Sequence, residues 1–287
     1  MKFLKSSWLL ILIALLIVAV PVSCRFTSSF KEIPSAYNSY NNEWTPPDDK
    51  AIPSGEEGEM IRYGEDLIKN TSIYLGPQGT VAHVSNGMNC QNCHIDGGKQ
   101  IFGNCLSAVA STFPKYRDRS GRVESIEFRI NDCLVRSLNG APIDSLSKEM
   151  RAMVNYLKWL GKDVPKDVRP FGAGVQALPF LPRAANPEKG RIVFAKKCAR
   201  CHGNNGEGLP GADSSFYTSP PLWGPHSYNT AAGMYRLSSL ANFVKNNMPF
   251  GATYLVPQLT NEEAWDVAAF VNSQPRPHID QSKDWPD

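Results

Sequence analysis

Two five-residue runs, Cys90-Gln-Asn-Cys93-His94 and Cys198-Ala-Arg-Cys201-His202, hold four of the seven cysteines and two of the five histidines in the chain. Two thiols one helical turn apart can each bond a vinyl group of one porphyrin, and the histidine that follows is then held beneath the iron. This is the attachment pattern of c-type haem. The spacing also suits a zinc site or a disulfide, but the pairs lie 105 residues apart and each has its own histidine. Two covalently bound haem c groups are therefore expected, on Cys90, Cys93 and His94 and on Cys198, Cys201 and His202.

Each iron needs a ligand on its far face, and here the halves differ. Met248 stands in Asn246-Asn247-Met248-Pro249-Phe250-Gly251, 46 residues beyond His202. A thioether on a proline-fixed loop gives His202/Met248 ligation, which raises the reduction potential. Met234, in a helical stretch, reads as a core residue. The first half has no such loop: Met150 and Met153 belong to its closing helix, and His83 precedes the motif too closely. Cys133 remains, 39 residues after His94. If Ser125 to Leu138 is helical, Arg129, Cys133 and Ser137 share one face with Arg136 beside them. Cations then crowd the thiol, a setting that favours thiolate, and a thiolate ligand would hold this iron at lower potential than the other. On spacing alone an inert buried cysteine suits Cys133 equally well. Cys105 is too near the first motif to reach the far face. It reads as a buried or free cysteine, with a disulfide to Cys133 left open.

Each half repeats one layout: a helix, the Cys-x-x-Cys-His run, a loop-rich middle and a closing amphipathic helix. The first closing helix begins at Ser147 and carries Met150, Met153, Val154, Leu157 and Leu160 on one stripe. The second begins at Thr260, where Glu263 completes a capping box, and carries Ala264, Val267, Ala268 and Val271 at helical spacing. Asn186 as cap and Pro187 in the first turn open the second half's first helix. No run alternates as a strand does. The expected fold is all-α: two cytochrome c-like haem domains, 59–165 and 186–275, joined by a proline-rich linker 166–185 and followed by a tail 276–287. A porphyrin at the centre offsets the small core of such loop-rich units.

With 287 residues, 42% hydrophobic and 20% charged, the chain is globular with room for about two domains, neither disordered nor multi-spanning. Its net charge of +3 includes Lys2 and Lys5, ahead of Cys24. The near-neutral remainder lacks the basic stripe of a nucleic-acid binder. Residues 1–24 pair a basic start with an uncharged run from Ser6 to Cys24, the pattern of a signal peptide or membrane anchor. Pro21 stands where a lipobox wants an aliphatic residue, so a lipoprotein, an anchored form and a free form all stay open. Each places the folded part in the periplasm or otherwise outside the cytoplasm, with a membrane tether expected at the amino terminus. Residues 25–58 read as an extended arm.

At Arg117-Asp-Arg119, at Ile126-Glu-Phe-Arg129-Ile-Asn-Asp-Cys133-Leu-Val-Arg136-Ser137-Leu-Asn139-Gly140, and at Pro220-Pro-Leu-Trp223-Gly with Ala232-Gly-Met234 and Asn247-Met-Pro249, the sequence resembles the thiosulfate dehydrogenases, a dihaem cytochrome c family. The resemblance runs from about Gly58 to Pro275. It implies that the first haem is catalytic, ligated by His94 and Cys133, and that the second is the electron exit. It also implies that Arg119, Arg129 and Ser137 hold substrate, and that the Cys133 sulfur leaves the iron to bond the substrate sulfur transiently. The implied reaction joins two thiosulfates into tetrathionate and sends two electrons to a soluble cytochrome or membrane-bound acceptor, with tetrathionate reduction as the reverse. Some family members exchange a lysine with the methionine it precedes. Here Asn247 takes that place and Lys245 lies further off, so plain His202/Met248 ligation is expected. Two other readings differ in class: a dihaem electron carrier, which would have no use for Arg129, Cys133 and Ser137, and a sulfur-oxidation complex subunit that acts only with a partner.

Overall fold

Asn186 accepts a hydrogen bond from the Lys189 N–H at 3.0 Å, and Pro187 fills the first turn, where a missing N–H costs nothing. Ser147 caps the first closing helix through the Met150 N–H, and Thr260 and Glu263 cap the second reciprocally. The computed structural model describes residues 44–212 and 216–286. The segment 1–24 with Cys24, and residues 25–43 of the arm, lie outside the described residues. The first half runs through α1 (Glu56–Lys69), α2 (Thr71–Leu75), α3 (Val109–Thr112), β1 (Lys115–Arg117), β2 (Arg122–Glu124), α4 (Ile126–Arg136) and α5 (Lys148–Leu160). The second runs through α6 (Pro187–Lys197), α7 (Ala199–His202), β3 (Leu209–Pro210), β4 (Tyr217–Ser219), α8 (Leu237–Asn247) and α9 (Asn261–Asn272).

The halves are built on the same helix crossing. A Cβ on Gly64 of α1 would lie 2.0 Å from the Ala152 carbonyl oxygen and 2.8 Å from the Tyr156 Cβ of α5. A Cβ on Gly190 of α6 would lie 1.9 Å from the Asp266 carbonyl oxygen and 2.8 Å from the Phe270 Cβ of α9. In both, one glycine lets two backbones touch, and the residue one turn on closes the contact. Around the first crossing pack Ile61, Leu67, Met150, Met153, Leu157 and Leu160; around the second pack Phe194, Trp265, Val267, Ala268 and Val271.

The fold is mostly helical but not purely so, which corrects the all-α expectation. The strands β1 and β2 pair antiparallel, Lys115 with Glu124 and Arg117 with Arg122, and β3 pairs with β4. Two- and three-residue strands are too short for alternation to show, and Gly121, at φ +62°, supplies the turn that closes β1 onto β2. The first helix starts at Glu56, slightly ahead of the expected boundary at 59.

The described residues belong to one compact unit. Residues 166–185 form no helix or strand of their own, yet Gly174 exchanges two backbone hydrogen bonds with Cys105, both 2.9 Å, and Leu178 N–H donates to the Asn242 side chain. Buried Asn229, from the second half, donates to the carbonyls of Val135 at 2.9 Å and Arg136 at 3.2 Å. It thereby caps the orphan carbonyls that end α4. Residues 276–286 are no loose tail: Thr230 N–H donates to the Pro277 carbonyl and Trp285 N–H to the Arg119 carbonyl. This segment is a strap fastened to both halves. No helix among the described residues is long and apolar enough to cross a membrane.

Candidate haem and substrate site

His94 Nδ1 lies 2.7 Å from the Asn104 carbonyl oxygen, and His202 Nδ1 lies 2.8 Å from that of Pro220. A carbonyl only accepts, so Nδ1 carries the proton in both rings and the Nε2 lone pair is left for a metal. Burial pushes His94 down to about 4, with the Arg129 charge acting in the same direction, and burial lowers His202 as well. Both are therefore neutral imidazoles near neutral pH. The four motif cysteines are free. Burial pushes Cys90 up to about 11, Cys93 up to about 12 and Cys198 up to about 11. Arg276 stacks on Tyr228 at 4.3 Å, while its Nε is buried without a hydrogen-bond partner. Such an orphan cationic donor suits a carboxylate-bearing group. The donor set in each half thus fits a covalently attached haem c. Among the described residues, no three His, Cys, Asp or Glu side chains gather in the way a zinc site needs.

Met248 ends α8, half-buried in the cluster that also holds Cys198, Leu222 and Trp223. Its neighbours are committed elsewhere. The Asn247 amide donates to the carbonyls of Phe102 at 3.1 Å and Phe243 at 3.0 Å, and accepts from Gln100 Nε2 at 2.9 Å. Lys245 Nζ donates to the Leu259 carbonyl. Met234 packs in the core of the second half.

Ser125 caps α4 through the Phe128 N–H, and α4 packs half-buried Ile130 and buried Leu134 in a cluster with Cys90, Leu75 and Met88. That seats the helix on the first haem motif. Cys133 is half-buried and close enough to Cys90 and Cys93 for its charge to raise both thiols. Arg129 lies one turn before it, and Ser137, the C-cap, one turn after. The Cys133 charge is the foremost influence raising the Arg129 pKa, against the opposing effect of burial.

The cations on this face are not free. Asp132 accepts from both Arg129 and Arg136, and Arg136 grips Asp284 of the strap with two bonds of 2.6 and 2.7 Å. Arg119, in the turn between β1 and β2, donates to the Ala231 carbonyl at 2.8 Å, lies 3.5 Å from Asp284 through Nε, and faces the Trp285 ring at 5.2 Å. The structure thus brings His94, Cys133 and Arg129 together, puts Ser137 at the end of the same helix, and joins Arg119 to them through the strap. Burial, then the charges of Arg129 and Arg117, lower the pKa of Arg236, which has no carboxylate partner among the described residues. Asp132 was legible three residues after Arg129 and four before Arg136. Nothing in the sequence pattern points to Asn229, Asp284 or Arg236. Cys105 is buried and free, its sulfur 3.4 Å from the Ser107 hydroxyl, so no disulfide joins it to Cys133.

Residues 80–165 match the family described as SoxA/TsdA, cytochrome c domain, and residues 187–275 match the family described as cytochrome c. The thiosulfate dehydrogenase of Psychrobacter arcticus is 37% identical over 84% of this chain and 71% of its own length. That of Allochromatium vinosum is 38% identical over 81% of this chain and 84% of its own. The solved structure of thiosulfate dehydrogenase (TsdBA) from Marichromatium purpuratum, in its as-isolated form, superposes with a TM-score of 0.75 at 35% identity. The match covers 82% of this chain, which spans half the length of that one.

Proposed function

The chain belongs to the thiosulfate dehydrogenase family of two-haem c-type cytochromes, and from that footing we propose that it joins two thiosulfate dianions into tetrathionate. One sulfur–sulfur bond forms and two electrons leave. When bound, the haems held by Cys90, Cys93 and His94 and by Cys198, Cys201 and His202 supply two one-electron acceptors, with Cys133 and Met248 as their distinguishing sulfur ligands.

The remaining work falls to side chains of α4. Two dianions about 5 Å apart repel by roughly 13 kcal/mol at an effective dielectric of about 20. A guanidinium about 4 Å from each attracts the pair by roughly 17 kcal/mol on the same scale. One well-placed arginine therefore outweighs the repulsion, and Arg129 is so placed beside Cys133, with Arg119 at the margin and Ser137 offering a hydroxyl. The Cys133 sulfur bonds the outer sulfur of the first thiosulfate as that pair gives up two electrons. The second thiosulfate attacks the bound sulfur, releasing tetrathionate and returning the Cys133 thiolate. Run backwards with an electron donor, the same residues cleave tetrathionate. The basic start and the uncharged run from Ser6 to Cys24, with the haem motifs, support a location outside the cytoplasmic membrane, tethered or free, with a soluble cytochrome or membrane-bound acceptor as partner.

The observation that carries this reading is the seating of Cys133 against the first haem motif with Arg129 one turn away. Steady-state oxidation of thiosulfate by the purified chain, with ferricyanide as acceptor, tests it. Cys133→Ala should keep its haem and lose roughly a hundredfold or more in kcat. Undiminished turnover by that variant would remove the chemistry and leave an electron carrier. Turnover that appears only with a partner protein would favour a complex subunit.

A further inference from the structure

Four charges alternate from the strap to the helix that bears Cys133: Asp284, Arg136, Asp132, Arg129. The series is shielded from water, with 8% of the Asp284 side chain and 10% of that of Asp132 exposed. Both Asp284 oxygens are engaged by Arg136, and one also lies 3.5 Å from Arg119 Nε. Contacts outside these pairs also hold the strap. Ile279 N–H donates to the Thr230 hydroxyl at 3.2 Å, Asp284 N–H to the Gln281 carbonyl at 2.9 Å, and Trp285 N–H to the Arg119 carbonyl at 2.7 Å. Pro286 lies against Gly121, whose added Cβ would come 2.5 Å from its ring. The carboxylate is therefore a fixed anion, held by backbone on either side.

A fixed anion at one end of an alternating series sets the geometry of the other end. Arg129 commits Nη1 to Asp132 and keeps its remaining donors for an incoming anion. Arg136, gripped from two directions, cannot swing towards Cys133 and take that anion elsewhere. We propose that Asp284 is a positioning residue of the substrate site: through Arg136 and Asp132 it aims the Arg129 guanidinium beside Cys133, and it restrains Arg119 directly. This rests on the reading of α4 as the substrate site.

The test compares wild type, Asp284→Asn, Asp284→Glu and Asp280→Asn in the full haem-loaded chain. Asp280 lies on the same strap, hydrogen-bonds Ser282 and sits near enough for its charge to act on Asp284, but has no ion pair with Arg136 or Arg119, so its variant controls for loss of a nearby negative charge. Thiosulfate kinetics are expressed per haem, and sulfate, an unreactive tetrahedral dianion, is titrated calorimetrically. For Asp284→Asn the expected result is a kcat lower by about tenfold, because misaimed groups lose rate steeply. Its KM should be unchanged or lower, and sulfate should bind about threefold tighter to the more positive site. Asp284→Glu should recover part of kcat, and Asp280→Asn should match wild type. A purely structural role predicts a loss that vanishes when rates are taken per haem, and that result overturns the proposal, as does a kcat for Asp284→Asn within twofold of wild type. Should Asp284→Asn fail to fold, Asp284→Glu carries the comparison, and wild-type kcat and sulfate affinity there overturn the proposal. A wild type inert towards thiosulfate rejects the functional reading alone. Sulfate affinity then decides this one, and equal values in wild type and Asp284→Asn defeat it.

Discussion

Asn247, the residue before Met248, donates its side-chain amide to the Phe102 carbonyl at 3.1 Å across the boundary between the two halves. The same amide accepts from Gln100 of the first half and donates to Phe243 of its own helix. The loop that carries Met248 is thus anchored in the neighbouring domain.

Asn247→Ala should strand the Gln100 amide and the Phe102 carbonyl and cost about 1–3 kcal/mol. With that anchor gone, the Met248 thioether is held less firmly, so the near-infrared band of methionine-ligated ferric haem should weaken and the potential of the second haem should fall. Spectroscopy and a redox titration read both. A variant with an unaltered band and an unaltered denaturation midpoint would show that the contact has no such role.

Arg129→Lys keeps the charge and loses the planar fork that shares itself between Asp132 and an anion. Its kcat/KM for thiosulfate should drop about tenfold, and that of Arg129→Ala by roughly 10²–10³-fold, the range for removing a group that stabilises developing charge. The wild-type rate should also decline as salt rises from about 0.01 to about 0.5 M, since screening weakens attraction between the site and a dianion. Equal rates for wild type and Arg129→Ala would remove Arg129 from the site.

Acid should loosen the second half through Asp266. Burial works against its charge, but the paired hydrogen bonds from Arg183, at 2.8 and 2.9 Å, and the Asn186 N–H outweigh it and hold the carboxyl below its ordinary value. A depressed folded pKa gives stability that is present above the unfolded value, about 3.9, and is lost as pH falls through the folded one. The gap between the denaturation midpoints of wild type and Asp266→Asn should therefore be full at about pH 6 and narrow as pH falls below about 3.9. A gap that stays constant across that interval would contradict the assignment.

The glycine crossings should be intolerant. Ala at 64 or 190 gains up to about 1 kcal/mol of helix propensity but pushes a methyl group into a backbone carbonyl. Overpacking of that kind costs about 1–3 kcal/mol and occasionally more, so both variants should melt earlier. Absorbance of each haem should report the loss in the half that carries the change. Melting midpoints at or above the wild-type value would mean that the backbones separate at little cost.

The parts of this architecture that depend on neighbours in sequence were readable in advance. Asn186 with Pro187, Ser147, and Thr260 with Glu263 each act within one turn, and each helix starts where those residues place it. The face shared by Arg129, Cys133 and Ser137 follows from helical period alone. Asp132 obeys the same period, and its place between two arginines moderates a cationic face that the arginines alone would suggest. Contacts made at a distance left no local trace. Gly64 and Gly190 look like ordinary helix glycines until the partner helix arrives. Arg119, expected to face substrate, spends donors on Ala231 and lies beside Asp284, residues more than a hundred positions away. Strands of two or three residues fall below the length at which a period of two can be seen.

The strap also carries a consequence for how the molecule is made. Asp284 leaves the ribosome some 150 residues after Cys133, a lag of roughly 8–30 seconds at about 5–20 residues per second. Throughout that interval the helix bearing Cys133 exists without its distant counter-ion and without the Asn229 cap. A fragment stopping at residue 165 would stay in that condition permanently. The face of α4 that carries Cys133 is completed by a stretch made much later, so a nascent polypeptide holds that face in its final arrangement only after residue 284 has been added.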